Sequence, residues 1–90
     1  MPYFAVICRD KPDSLSLRME NREAHLAYAR DSGVLFLGGP LIEDGQMAGS
    51  LAILDVADLA AAQDWAAHDP YGKAGLFQSV TINEWKRVIG

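Results

Sequence analysis

Cysteine is nearly absent from these 90 residues: Cys8 stands alone, so no disulfide can form within the chain. Its place in an apolar run makes it a small buried hydrophobe in a reducing compartment. Basic residues are scarce too. Eight Lys and Arg against twelve Asp and Glu leave a net charge of −4. Scattered as they are, they exclude a nucleic-acid binder, whose affinity rests on cations set against phosphates. No apolar run approaches the ~20 residues of a membrane span. Met1-Pro2-Tyr3-Phe4 has neither the basic region nor the long apolar core of a signal peptide. The expected location is the cytoplasm, with no membrane partner. Only two histidines are present, and His25, His68, Cys8 and Asp69 do not fall at zinc-ligand spacing. Neither a metal nor a cofactor is expected.

What is there reads as one globular domain spanning residues 1–90, half of it apolar. Tyr3 to Arg9 is a strand closed by the turn cluster Asp10-Lys11-Pro12-Asp13. Ser14 or Ser16 opens a helix that runs to about Ser32 and stops at Gly33. Leu15, Met19, Leu26 and Ala29 are expected to face inward from it. Val34-Leu35-Phe36-Leu37 makes a second strand ending at Gly38-Gly39-Pro40. The turn Glu43-Asp44-Gly45-Gln46 and a third strand from Gly49 to Val56 complete a hairpin. Asp58 caps a second helix through about His68, with Leu59, Ala62 and Ala66 inward, and a fourth strand covers Phe77 to Val88. The order βαββαβ is α+β and ferredoxin-like: an antiparallel sheet with two helices on one face.

Two helices cover one face only, yet the strands are apolar on both. Phe4, Val6 and Cys8 oppose Tyr3, Ala5 and Ile7, while Ala52, Leu54 and Val56 oppose Leu51 and Ile53. An open apolar face of this kind calls for a cover, and a second copy packed sheet to sheet supplies it. The expected partner is therefore the chain itself, as a homodimer.

Several short motifs recur in a telling order: Asp10-Lys11-Pro12, Arg18 and Arg22 ahead of His25-Leu26-Ala27-Tyr28, Gly39-Pro40, and Gly49-Ser50-Leu51. Asp69-Pro70-Tyr71, Ala74-Gly75-Leu76-Phe77 and Trp85 follow. Over nearly its whole length the chain resembles the YciI-like (YCII-related) family of small dimeric α/β-barrel proteins. The resemblance implies the ferredoxin-like fold, a sheet-to-sheet dimer and a site built on a His–Asp pair, here His25 and Asp69. It also implies lyase- or isomerase-type chemistry on small cyclic or aromatic compounds.

The residues themselves leave alternatives open. His25 flanks the apolar stripe and reads equally as a half-buried histidine bonded to a backbone carbonyl. Arg18, Arg22 and His25 form one ridge at i, i+4 and i+7. Asp69 before Pro70 is a natural helix N-cap, which alone would explain it. If helical phase continues past His68, Asp69 instead points inward and needs a partner such as a histidine. In the catalytic reading Asp69 fixes the His25 tautomer and the other ring nitrogen moves a substrate proton. Arg18 or Arg22 would hold a substrate anion, Ser50 would donate a hydrogen bond, and Tyr28 and Tyr71 would wall the pocket. The alternative from another class is a non-catalytic module that binds or senses a small metabolite in the same pocket.

Overall fold

Phe4, Val6 and Cys8 alternate along the first strand and are all buried, which marks their face of the sheet as the one that meets the helices. The computed structural model describes residues 2–90. Its elements are β1 (Tyr3–Asp10), α1 (Leu15–Asp31), β2 (Leu35–Glu43), β3 (Gln46–Asp55), α2 (Leu59–His68), α3 (Pro70–Lys73) and β4 (Phe77–Trp85). The sheet order is β2-β3-β1-β4, and every pairing is antiparallel. This is the ferredoxin-like arrangement. No helix among the described residues is long and apolar enough to cross a membrane.

On the helix side of the sheet, Phe4 pairs with Leu54, Val6 with Ala52 and Cys8 with Ser50. Trp65 and Ala62 of α2 and Ala29 of α1 close over them. Val6, Leu54, Leu76 and Tyr71 are each less than 2% exposed. Each such burial contributes roughly 1.5–3 kcal/mol. On the other side, Ile7 and Leu37 stay well exposed, and Tyr3 stacks on Phe36 with ring centroids 4.7 Å apart.

Local chemistry explains the boundaries. Asp44 and Gly45 both have positive φ (51° and 77°), the tight β2–β3 turn that matches strand twist. Gly33, at φ 73°, ends α1. Asp58 caps α2 by accepting the Ala61 N–H at 2.8 Å.

Four expectations need correction. The second strand does not end at Gly38-Gly39-Pro40 but runs through them to Glu43. β2 is an edge strand, so Pro40 lacks only an outward-facing N–H and costs the ladder nothing. On α1, Leu15, Met19 and Leu26 are exposed, and the buried residues are Arg18 and Ala29. The helix turns its polar ridge inward because Arg18 finds a carboxylate there. On α2, Leu59 is exposed and Trp65 takes the inward place beside Ala62. The last strand stops at Trp85, short of Val88.

Candidate active site

Strand alternation carries Asp10 and Ser50 to the helix side of the sheet, beneath the first turns of α1. There Arg18 donates from Nε to Asp10 Oδ2 at 2.7 Å and from Nη2 to Asp10 Oδ1 at 2.9 Å. A second N–H of Nη2 reaches Ser50 Oγ at 2.8 Å. Burial works against the Arg18 charge, but the two-pronged contact with Asp10 outweighs it and raises the guanidinium above its ordinary value. Arg18 thus enters the site already neutralised.

Two turns along α1, His25 meets Asp69, 44 positions away in sequence, with Nδ1 and Oδ1 2.8 Å apart. Asp69 sits where α2 stops, in extended conformation (φ −60°, ψ 128°), and caps α3 with Pro70 at the first helical turn. The same oxygen, Oδ1, accepts the Tyr71 backbone N–H at 3.0 Å. Cap and dyad therefore share a single oxygen, and Asp69 is buried without the helix continuing through it. Towards an ionised carboxylate, which only accepts, Nδ1 is the donor, and in the neutral ring this tautomer leaves the Nε2 lone pair free. The Tyr71 ring lies flat against His25, centroids 4.0 Å apart at 14°, and the Arg18 guanidinium carbon is 4.5 Å from the Tyr71 centroid. These contacts leave the imidazole little freedom to turn.

The ridge and the sheet enclose a cavity of about 100 Å³. Its floor is Val6, Cys8, Ser50 and Ala52, and its roof is Arg18, Arg22, His25 and Ala29. Gly38 and Gly39 border it from β2, and Trp65, Asp69 and Tyr71 from the α2–α3 segment. Small residues at Ala29, Gly38 and Ala52 leave the space open. At about 100 Å³ the cavity is smaller than the apolar cavity of about 150 Å³ that holds a benzene, so a ring-sized ligand would extend into its open mouth. Burial, then the nearby Asp69 charge, pushes the Cys8 thiol up to about 12, so it is no nucleophile at neutral pH. Burial also raises the Tyr71 phenol, keeping it neutral. No group of three or more His, Cys, Asp or Glu placed to hold a metal ion occurs among the described residues.

Of the residues singled out from the sequence, His25, Asp69, Arg18, Arg22, Ser50 and Tyr71 all border this one cavity. Tyr28 is not among its lining residues; its hydroxyl donates to the Trp65 carbonyl at 2.8 Å and its ring packs on Trp65. Sequence reasoning missed Asp10, taken only as part of a turn, and Trp65, taken only as core or interface. Asp10 continues the Phe4-Val6-Cys8 alternation, and Trp65 lies one helical turn from Ala62, so both signals were present.

Fold and site together define a ferredoxin-like domain with a small cavity bordered by a histidine–carboxylate pair. Residues 2–86 match the YCII-related domain, and the chain belongs to that family. Protein YciI of Escherichia coli is 35% identical over 96% of this chain and 98% of its own. A solved relative, 5-chloro-2-hydroxyhydroquinone dehydrochlorinase (TftG) of Burkholderia phenoliruptrix, superposes with TM-score 0.87 at 31% identity. The match covers 96% of this chain and 95% of that one, which was solved in complex with 2,5-dihydroxybenzoquinone. An antibiotic biosynthesis monooxygenase at 13% identity and TM-score 0.62, covering 99% and 100% of the two chains, shares the fold alone.

Proposed function

We propose that the chain is a small-molecule enzyme of lyase or isomerase type, acting on a small oxygenated ring by general acid–base catalysis. The observation that carries this reading is the 2.8 Å contact between His25 Nδ1 and Asp69 Oδ1 at the wall of a small, open-mouthed cavity. Nε2 takes a proton from a ring hydroxyl or an adjacent C–H. The electron pair left behind moves through a ring double bond and expels the leaving group, with its own bonding pair, from a ring carbon made tetrahedral by prior proton transfer to it. Asp69 stabilises the imidazolium formed in that step, and the proton passes from it to water or back to another ring position. Arg22, at the cavity rim, is placed to attract an anionic ring, since Arg18 is already committed to Asp10. The likeness to a dehydrochlorinase supports chemistry of this kind.

The reading includes a homodimer in the cytoplasm. The exposed Ile7, Phe36 and Leu37 on or beside the sheet face away from the helices support a second copy as their cover. The test is turnover of chlorinated and unchlorinated hydroxyhydroquinones by wild type and His25→Asn. The expected loss in the variant is ~10²–10⁴-fold with unchanged fold. Equal rates in both proteins on every ring that binds would overturn the catalytic reading in favour of a binding module.

A further inference from the structure

Tyr71 is 1% exposed and touches both halves of the His25–Asp69 pair. Its backbone N–H donates to Asp69 Oδ1 at 3.0 Å, the oxygen that His25 Nδ1 meets at 2.8 Å. Its ring lies against the imidazole with centroids 4.0 Å apart at 14°, a face-to-face contact. Between cap and ring stands Pro70, whose fixed φ holds the carboxylate and the aromatic face at a set spacing. The Tyr71 ring is braced in turn. Phe77 meets it edge-on at 6.0 Å, and the Arg18 guanidinium carbon stands 4.5 Å from its centroid. A single hydrogen bond at Nδ1 leaves an imidazole free to pivot about that bond, so a second contact must set its plane.

We infer that Tyr71 is the positioning residue of the pair: its amide fixes the carboxylate, its ring sets the plane of His25, and its electron-rich face steadies the imidazolium that proton transfer creates. An aromatic face carries partial negative charge, so it attracts a cation lying flat against it more strongly than a neutral ring. Asp69 meets that charge at Nδ1, and Tyr71 meets it across the ring face. The Arg18 cation near the same ring opposes this only weakly, because Asp10 holds it in a two-pronged contact. This inference deepens the acid–base reading and rests on it. Tyr71 acts through His25 and moves no proton itself.

The test compares Tyr71→Phe, which keeps amide and ring, with Tyr71→Leu, which keeps the amide alone. Both lose the hydroxyl, so their difference isolates the ring. Ring-carbon relaxation of His25 by NMR reads its mobility without any substrate, and turnover of hydroxyhydroquinones reads the chemistry. Expected are a rigid His25 ring in Tyr71→Phe, a mobile one in Tyr71→Leu, and kcat about tenfold lower in the Leu variant at equal KM. Equal kcat in the two variants, or a His25 ring equally rigid in both, overturns the positioning role. The acid–base reading then still stands if His25→Asn loses turnover. If His25→Asn turns over as fast as wild type, both readings fall together. Should Tyr71→Leu not fold, the wild type decides: stacking demands a rigid His25 ring whose protons are shifted upfield by the Tyr71 ring current. A mobile ring without that shift overturns the inference.

Discussion

Replacing Arg18 by Met keeps an unbranched apolar stem, two heavy atoms shorter, and removes the charge and its hydrogen bonds. Arg18 and Asp10 side chains are only 2% and 6% exposed, joined at 2.7 Å. Without the cation, Asp10 remains a carboxylate out of reach of bulk water, and Ser50 loses a donor. Breaking a buried pair from one side costs about 3–5 kcal/mol, because the partner is left charged and unpaired. Loss of the guanidinium over the Tyr71 ring adds roughly 0.5–2 kcal/mol. Against a total stability of about 5–15 kcal/mol, Arg18→Met should fold only marginally. The paired change Asp10→Leu with Arg18→Met removes both charges together and should recover most of the loss. Urea unfolding at one fixed protein concentration measures all four proteins of the cycle. A cost under about 1 kcal/mol for Arg18→Met, with additive effects in the double variant, would refute the claim that a buried ion pair turns this helix inward.

Gly49→Ala should cost about 1–3 kcal/mol and lower Tm by several degrees, because the added Cβ would lie 2.3 Å from the Cys8 carbonyl oxygen. Gly39→Ala, with nothing within 4 Å of its Cβ, should change stability by no more than about 0.5 kcal/mol; similar losses at the two sites would contradict the packing. Cys8 supplies a pH test. Its thiol titrates near 9.0 when unfolded and at about 12 when folded, so the unfolded chain releases the proton first. Stability from this group is whole below pH 9.0 and falls as pH rises towards about 12, at about 1.4 kcal/mol per pH unit. Urea unfolding across that range should show the extra slope in wild type and not in Cys8→Ala; equal slopes would mean the thiol is not desolvated.

What the sequence revealed depended on whether the deciding partner was near in the chain. Alternation along Phe4, Val6 and Cys8 is local and correctly grouped them on one face of β1, but with both faces apolar it did not tell which face meets the helices. The direction of α1 is not local. Apolar periodicity pointed Leu15, Met19 and Leu26 inward, but Asp10, in the strand before the helix, supplies the carboxylate that lets Arg18 take that place. Gly38-Gly39-Pro40 misled for a related reason. A proline ends a central strand but is harmless on an edge, and the edge position of β2 is a property of the whole sheet. His25 and Asp69 were singled out through family resemblance, with helical phase offered as support for Asp69. The helix ends before Asp69, so the phase argument fails although the residue is buried. That one oxygen serves both His25 and the Tyr71 amide is visible only in three dimensions. Trp65 escaped because a large aromatic at helical spacing reads as core.

The central claim is that Asp69 holds His25 with its proton on Nδ1 and its Nε2 bare. The ¹⁵N shifts of the neutral His25 ring report this directly, in wild type and in Asp69→Ala. The account predicts a protonated Nδ1 and a pyridine-like Nε2 in wild type, and loss of that preference when the carboxylate is removed. A wild-type ring with its proton on Nε2, or the same tautomer in both proteins, would contradict it.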